Sequence, residues 1–497
     1  MKRISEKIES YWENAPLACV MAIAVLFRLI AVIFAKGYGM HDDHFCVIDI
    51  AQRWVDGSRD WLGSGVHWRS LVYPGLHFLL FELLQKLGMT DPQGKMYVVR
   101  FLHAAFSLVT VFYGYKIMRL VSDEKTARLT GLLLAILWPM PFMSVRNLQE
   151  FVCIPPMMMA MYHLYLKDSR KYAWHTVLAG ALFGIAFTVR FQTLSIAGTV
   201  GLVLILTKQI RPALLFGAAF LLSAFCFLGV TDWVGRGIPF KSFYDYVVYN
   251  SGAGEAYTTG PFYMYIGLII GVLIPPMSLL LLFGFLRTWK KHALIFWPTV
   301  AFFVLHSLFP NKQERFILPI LPFVVMLSVQ GWQQVAVRSE FWTGHRKLLR
   351  GFWISFWICN TLLLLVTTTT YSKKNRVEVL TYLSRQPDVK GIIVETTDQG
   401  APMMPLFYLN RNVPLYAMPV EKPLDSLKME IGSNAIPNRV IFLKAEGLDS
   451  RVKRIEEITG RLVYEKTIVP SLADHILYLL NPKHNVNQTS FIYRTGE

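Results

Sequence analysis

Two adjacent carboxylates, Asp42 and Asp43, follow the first long apolar segment of the chain and are flanked by His41 and His44. A carboxylate that is held in a fixed position can act as a general base on a hydroxyl group. Two acids alone are equally well explained by a solvated loop. However, residues 45–55 repeat apolar side chains at helical spacing, which predicts an amphipathic helix at the bilayer surface. This helix favours a fixed acidic site.

A second group of charged residues lies in "HSLFPNKQERFILPILP", where Lys312, Glu314 and Arg315 precede an apolar segment. The positive end of a helix attracts anionic ligands, and cations beside it predict a phosphate-binding site. The alternative is that these basic side chains reach towards lipid headgroups. The acid and the two prolines in the same segment make that alternative less natural.

Further charged residues stand at the ends of two other apolar runs. Arg190 ends "ALFGIAFTVR", and an arginine at that position predicts a carboxylate or a phosphate as its partner. Arg146 and Glu150 are four residues apart, so they predict an ion pair on one helix. Together, these residues predict a base and a cationic phosphate site in a membrane setting.

The composition predicts an α-helical polytopic membrane protein. Hydrophobic residues make up 54% of the 497-residue chain and charged residues only 17%, against about 25% charged residues in soluble domains. The first apolar run exceeds the length of a signal-peptide core, so it predicts a retained membrane anchor. About eleven spanning helices are predicted, near residues 16–35, 98–118, 128–143, 150–166, 175–190, 194–207, 212–230, 263–285, 292–308, 315–333 and 351–371.

The distribution of basic residues predicts the topology. The net charge of +17 comes largely from short loops between apolar segments, which is the positive-inside pattern and requires no nucleic-acid partner. If segment 72–88 lies at the interface instead of spanning, these loops share the cytoplasmic side. The acidic pair and the cationic segments then share the opposite, outer face.

From about residue 374 the pattern becomes that of a soluble α/β domain. "GIIVET", "RVIFLKA", "RLVYEKTIV" and "HILYLLN" predict strands, and "NRVEVLTYLSRQ" and "LDSRVKRIEEIT" predict helices. We therefore predict a transmembrane catalytic domain over 1–373 and a small extracytoplasmic domain over 374–497. The five cysteines show no disulfide or metal-site spacing.

Several of these segments resemble one enzyme family. "MHDDHF" is similar to the His-Pro-Asp-Glu-x-Phe stretch of polyprenyl-phosphate-mannose-dependent α-mannosyltransferases, the GT-C-fold enzymes of glycosyltransferase family 22. "HSLFPNKQERFILPILP" resembles their H-S…HK-E-RF-P-P block. "TDWVGRGIPFKSFYDYVVYNSGAG" resembles their D…YG…P…NF…YN loop, and "VRFQT" their R-Q/P-T turn. The resemblance covers residues 17–335 in consistent order.

The resemblance implies a GT-C type fold and a role for each matched position. Asp42 takes the role of the catalytic base and Asp43 that of the neighbouring acid. The residues expected to bind the donor phosphate are Lys312, Arg315 and Arg190. The residues expected to bind substrate are His44, Glu314, Gln192, Arg146, Glu150, Asn250 and His306. No cofactor and no metal ligand are predicted, and metal dependence stays open.

The sequence therefore predicts an inverting glycosyltransferase that moves a sugar, most simply mannose, from a polyprenyl-phosphate donor. The predicted acceptor is a hydroxyl of a lipid-linked glycan or glycolipid on the outer or lumenal face of the membrane. Membrane lipid is a further expected partner. The predicted location is a bacterial inner membrane with the site facing the periplasm, or the endoplasmic reticulum in a eukaryote. The alternatives are a transporter or flippase for a lipid-linked or anionic solute, and a structural membrane subunit.

Overall fold

The structure is a computed structural model that is largely helical up to residue 384. It describes residues 9–40, 43–58, 68–167, 169–252, 259–398, 403–419, 421–432, 436–480, 482 and 489–496. The α-helices before residue 210 are Pro16–Phe34, Asp49–Val55, Val72–Lys86, Pro92–Val121, Glu124–Ile136, Pro139–Ser144, Gln149–Val152, Ile154–Tyr165, Tyr172–Val189 and Leu194–Leu206. Those that follow are Ile210–Ala224, Val230–Arg236, Lys241–Gly252, Met264–Val272, Met277–Leu286, Ala293–Leu308, Leu321–Arg338, Glu340–Gly344, Arg346–Thr368, Lys374–Ser384, Leu424–Ile431, Leu448–Thr459 and Leu472–Leu480.

Short turns of other helix types join several of these helices. The π-helices are His44–Ile48 and Phe225–Gly229, and the 3₁₀-helices are Phe191–Thr193, Glu314–Ile320 and Leu406–Leu409. Residues 45–55, predicted as one amphipathic helix, form the π-helix His44–Ile48 and the α-helix Asp49–Val55. The predicted helix is therefore present, with a wider turn at its start.

Several helices are long and apolar enough to cross a membrane. Within the described residues six pass this test, namely Pro16–Phe34, Pro92–Val121, Tyr172–Val189, Ile210–Arg236, Glu314–Arg338 and Arg346–Thr368. The shorter apolar helices Phe191–Leu206 and Ala293–Leu308 coincide with two further predicted spans. The prediction of a helical membrane protein is confirmed, and the count of eleven spans stays a prediction.

Two apolar segments differ from a simple spanning helix. The predicted span 263–285 is a pair of helices, Met264–Val272 and Met277–Leu286, that meet at an angle of 117°. Pro275 and Pro276 lie between them, and prolines have no N–H to continue a helix. The helix Val72–Lys86 has 15 residues and is about 22 Å long. It is therefore too short to cross a hydrocarbon core of about 30 Å upright.

The helices before residue 369 are joined by close backbone approach and by buried polar groups. A Cβ atom on Gly331 would lie 1.9 Å from the carbonyl oxygen of Gly284, so the two helices meet backbone to backbone. In the first membrane helix, Arg28 is fully buried. Its Nε donates to Ser107 Oγ at 2.6 Å and its Nη1 to the carbonyl of Ala135 at 3.2 Å. Arg28 thus satisfies a free carbonyl at the end of helix Glu124–Ile136.

The chain divides into two compact units. One contains the described residues of 1–33, 54–79 and 99–368, and we call it the helical unit. The other contains those of 34–53, 80–98 and 369–497, and we call it the mixed unit. The C-terminal residues are thus in one unit with the segment that carries Asp43.

The mixed unit contains a five-stranded sheet. Its strands are β1 (Ile392–Thr396), β2 (Leu415–Met418), β3 (Arg439–Leu443), β4 (Leu462–Ile468) and β5 (Ser490–Thr495). The spatial order is β2-β1-β3-β5-β4. β1 pairs in parallel with β2 and β3, while β5 pairs antiparallel with β3 and β4. Val440 and Phe442 of β3 and Leu427 and Ile455 of the adjoining helices are buried together in the core.

One of the strands predicted in this region is a helix. "HILYLLN" was expected to be a strand, but it lies largely within the helix Leu472–Leu480. The helix begins with a local cap, because the N–H of Asp474 donates to Ser471 Oγ at 3.1 Å. Its apolar residues also recur at helical spacing, since Leu472, Ile476 and Leu479 are four and three residues apart.

Candidate functional site

Three predicted site residues from distant parts of the sequence form one cluster in the helical unit. The Oε1 atom of Glu150 lies 3.1 Å from Nη2 of Arg190 and 3.4 Å from Nε of Arg315. The Glu150 side chain is only 1% exposed. Arg69 adds a third favourable charge interaction with the same carboxylate. The structure therefore brings together the cations predicted from "VRFQT" and "NKQERF".

The three charged side chains of the cluster lie where the helices are interrupted. Arg190 follows the last residue of helix Tyr172–Val189, in extended conformation. Arg315 lies in the 3₁₀-helix Glu314–Ile320, and Glu150 lies in the four-residue helix Gln149–Val152. The ring of Phe316 lies 5.2 Å from the Arg190 guanidinium and 5.6 Å from that of Arg315. It therefore packs against both cations.

The carboxylate of Glu150 is shared between two cations. Among the described residues, the guanidinium groups of Arg190 and Arg315 both contact it, in a largely buried place. Nε of Arg190 is buried and has no hydrogen-bond partner among the described residues, whereas Nη2 lies at ion-pair distance from Glu150. Buried donors without acceptors are costly, so an anionic ligand that accepts from them is stabilised.

The predicted ion pair of Arg146 and Glu150 on one helix is wrong. Helix Pro139–Ser144 ends before Arg146, and the next helix begins at Gln149, so the helical i,i+4 geometry is absent. The guanidinium of Arg146 instead lies 4.4 Å from the ring centre of Phe142. Glu150 pairs with residues that are 40 and 165 positions later in the sequence.

Lys312 has a different environment from the one predicted. Its Nζ donates to the carbonyls of His306 and Ser307, both at 2.9 Å, and to that of Phe309. These carbonyls are at the end of helix Ala293–Leu308, which leaves them without partners of its own. An ammonium group has three donors, and all three are used. A direct contact to phosphate would require Lys312 to release this cap.

The remaining predicted residues of the helical unit lie in several places. Gln192 donates to the hydroxyl of Tyr246, and Asn250 Nδ2 donates to the Tyr246 carbonyl at 2.7 Å. The His306 ring stacks on Phe302 with centroids 4.0 Å apart. Glu314 is exposed. Sequence reasoning missed Tyr246 and Arg69. Tyr246 lies within the matched loop "TDWVGRGIPFKSFYDYVVYNSGAG" but was not distinguished from the other tyrosines there, and Arg69 lies in none of the matched segments.

The acidic pair lies in the part of the chain that belongs to the mixed unit. Asp42 and its neighbour His41 lie outside the described residues. Asp43 is 5% exposed and immediately precedes the π-helix His44–Ile48. His44 was predicted to bind substrate, but its side chain has no exposed surface. Its ring lies between those of Tyr38 and Tyr408, with centroid distances of 4.8 and 5.4 Å.

The carboxylate of Asp49 contacts the ring of His44. Its Oδ1 lies 3.4 Å from Nε2 of His44. Burial raises the pKa of Asp49 to about 7, although the backbone of Phe407 and the charge of Arg53 lower it in part. In the unfolded chain an aspartate has a pKa of about 3.9. The folded state therefore binds the extra proton between these values, and its stability falls as the pH rises through about 7.

This titration predicts the effect of Asp49→Asn on stability. The amide stays neutral at every pH. The free energy of unfolding of the variant, relative to that of wild type, should therefore increase from pH 5 to pH 8 by an amount on the order of 2 kcal/mol. Thermal unfolding of both proteins at the two pH values measures this gain. Asp56→Asn, which removes a carboxylate from an exposed position, is the control. A constant difference for Asp49→Asn would contradict the prediction.

Comparisons with known proteins place this arrangement in a family context. Residues 17–392 match the profile of the Alg9-like mannosyltransferase family. The mannosyltransferase APTG1 of Arabidopsis thaliana is 22% identical over 342 residues, which cover 65% of this chain and 60% of that protein. The GPI alpha-1,2-mannosyltransferase 3 of Danio rerio is 24% identical over 340 residues, 64% of this chain and 61% of that protein. The chain thus spans about three-fifths of the length of these relatives.

Solved structures share the fold at low sequence identity. ArnT from Cupriavidus metallidurans bound to undecaprenyl phosphate has a TM-score of 0.63 and 12% identity, over 96% of this chain and 97% of that one. The Archaeoglobus fulgidus oligosaccharyltransferase has a TM-score of 0.51 and 13% identity, over 88% of this chain and 69% of that one. The GT-C type of fold expected from the sequence is therefore confirmed.

Proposed function

Since the chain belongs to the Alg9-like mannosyltransferase family, we propose that it is an integral-membrane inverting glycosyltransferase. In this proposal it moves mannose from a polyprenyl-phosphate donor to a hydroxyl of a lipid-linked glycan or glycolipid. The reaction takes place on the periplasmic face of a bacterial inner membrane, or on the lumenal face of the endoplasmic reticulum if the host is eukaryotic. Mannosyltransferases among the relatives and undecaprenyl phosphate in the ArnT structure support the choice of sugar and of lipid.

The observation that carries the proposal is the cluster of Arg190, Glu150 and Arg315. A polyprenyl-phosphate sugar has one negative charge, and the polyprenyl phosphate that leaves has a second one near neutral pH, because the second pKa of a phosphate monoester is about 6. The two guanidinium groups would stabilise the charge that develops on the leaving phosphate. Nε of Arg190 is a donor without a partner among the described residues and can serve this purpose.

The acidic pair supplies the other half of the reaction. We assign the role of general base to Asp42 on the sequence, with Asp43 as the neighbouring acid. Asp42 would take the proton of the acceptor hydroxyl, whose oxygen then attacks the anomeric carbon. The bond between that carbon and the phosphate oxygen breaks, and its electron pair stays on the phosphate. A strong general acid is not required for such a leaving group.

The proposal is tested by sugar transfer with the purified full-length protein in lipid nanodiscs. Radiolabelled polyprenyl-phosphate mannose is supplied with a glycolipid extract of the host, beside matched glucose and arabinose donors and a nucleotide-linked mannose. Transfer from the lipid-phosphate mannose alone is the expected result. Transfer from another lipid donor would correct the sugar. If no donor is used, while protein in sealed vesicles moves a lipid-linked sugar across the bilayer, the transporter alternative replaces the proposal.

A further inference from the structure

Three aromatic rings form a stack in the mixed unit, and His44 is its central member. The ring planes of Tyr38 and His44 differ by 20°, and those of His44 and Tyr408 by 8°. We call these three residues the His44 stack. The ring of Phe407 is nearly perpendicular to that of His44, with centroids 6.0 Å apart. Both faces of the imidazole are therefore covered by protein.

The members of the stack come from opposite parts of the sequence. Tyr38 and His44 lie in the segment 34–53, whereas Tyr408 belongs to the 3₁₀-helix Leu406–Leu409. This 3₁₀-helix is anchored in turn, because Phe407 stacks on Phe81 with centroids 5.5 Å apart. The C-terminal part of the chain thus contributes side chains that pack against the segment 34–53, which follows the first membrane helix.

Backbone contacts hold the beginning of the same segment. Gly37 forms a parallel bridge with Ser372, and Lys373 Nζ donates to the Gly39 carbonyl at 3.0 Å. Gly37 has a φ of +76°, and a Cβ there would lie 1.9 Å from the carbonyl oxygen of Ser372. Only glycine fits this position without displacement. The segment is therefore held at three places, at Gly37, at Gly39 and at His44.

The stack fixes the start of the helix that follows the acidic pair. The Asp49 carboxylate lies beside His44 Nε2, and the Asp49 N–H donates to the His44 carbonyl to close the π-helix. The ring and the backbone of His44 are thus both held. Asp43 is the residue directly before it, so its backbone is held from one side. π-helical turns are frequent at functional sites.

From this geometry we infer that the 3₁₀-helix Leu406–Leu409 is a positioning element for catalysis, which holds Asp43, the described member of the acidic pair, in place through the contact of Tyr408 with His44. The inference rests on the proposed function and deepens it, since it gives the C-terminal region a part in the transfer reaction. A base that is displaced by about 1 Å can lose about 10²-fold in rate. Tyr408 is a positioning residue and contacts no reacting atom.

Two variants of Tyr408 test this inference. Tyr408→Ala removes the ring from the stack, and we expect kcat for sugar transfer to fall by about 10-fold or more while the donor KM stays close to that of wild type. Tyr408→Phe keeps the ring and should retain most of the activity. Hydrogen exchange of residues 37–55 is measured on the same proteins, and Tyr408→Ala should exchange faster there.

A matched control separates positioning from general destabilisation. Tyr416 on β2 is a buried tyrosine in the core of the same sheet, and Tyr416→Ala should lower the thermal midpoint without changing kcat or the exchange of 37–55. Equal losses of kcat in Tyr416→Ala and Tyr408→Ala would overturn the inference, as would unchanged exchange in Tyr408→Ala. If wild type transfers no sugar, the proposed function fails, and the catalytic part of the inference fails with it. The exchange result then still decides whether Tyr408 holds the segment.

Discussion

Replacing Asp42 by Asn is expected to abolish measurable sugar transfer while donor binding stays intact. An amide cannot take the proton of the acceptor hydroxyl, and a positioned general base contributes roughly 10²–10⁴-fold to the rate. We therefore expect kcat to fall by at least about 10²-fold at an unchanged donor KM. Initial rates of transfer from a radiolabelled polyprenyl-phosphate sugar, with purified protein in lipid, provide the measurement.

Two further substitutions make the result at Asp42 specific. Asp56→Asn causes the same change of charge at an exposed position just after helix Asp49–Val55, and its activity should stay close to that of wild type. Asp43→Asn distinguishes the two adjacent acids and should cause the smaller loss. If Asp42→Asn keeps the wild-type kcat, the base is another residue and the matched motif has a different role.

The second large effect is expected at Arg190 and Arg315. Glutamine keeps a polar side chain but removes the charge, and the loss of one preorganised donor to a developing negative charge costs about 10²–10³-fold in rate. The kcat/KM for the donor should fall by this factor in Arg190→Gln and in Arg315→Gln. Free polyprenyl phosphate, a product of the reaction, should inhibit both variants more weakly than wild type. Initial rates at increasing concentrations of this product and a fixed concentration of acceptor measure the difference.

The neighbouring cation provides a sharp control for the two arginines. Lys312→Met removes the ammonium group that caps helix Ala293–Leu308, so we expect a lower thermal midpoint and a donor KM close to that of wild type. Arg190→Lys keeps the charge without the planar pair of donors and should be intermediate. If Lys312→Met raises the donor KM as much as Arg190→Gln, Lys312 binds the phosphate after all, as the sequence predicted.

The sequence identified the members of the cationic cluster but not their connections. Arg190 stands at the end of an apolar run, where a charged side chain needs a partner, and Arg315 stands at the start of a helix, where cations predict a bound anion. Their common partner could not be predicted, because Glu150 is 40 residues from one and 165 from the other. The nearer candidate, Arg146, was chosen on the assumption of one continuous helix, and the break after Ser144 removes that geometry.

Lys312 illustrates a second limit of sequence reasoning. A cation before a membrane helix is equally suited to bind a phosphate or to cap the preceding helix. The phosphate has a full negative charge, and the carbonyl groups at the end of the preceding helix have a partial one. The choice depends on how the chain turns between Phe309 and Lys312, which no periodicity reveals. The three carbonyl contacts of Nζ decide for the cap in this structure.

The C-terminal region was predicted in outline. Alternating and continuous apolar runs correctly gave β1, β3 and β4, because these strands are bounded by polar turns. The short β2 has only four residues, Leu415–Met418, and is held mainly by pairing with β1, so the local sequence was insufficient. The association of residues 34–53 with this region was also missed, because it depends on contacts such as the one between His44 and Tyr408.

The contact between Lys373 and Gly39 joins residues that are 334 positions apart. On a ribosome that adds about 5–20 residues per second, Gly39 is made roughly 15–70 s before Lys373, and Tyr408 follows later still. During that interval the segment with the acidic pair has none of these C-terminal partners. The segment with the acidic pair is therefore synthesised before the other proposed catalytic residues but is among the last parts of the molecule to reach its final conformation.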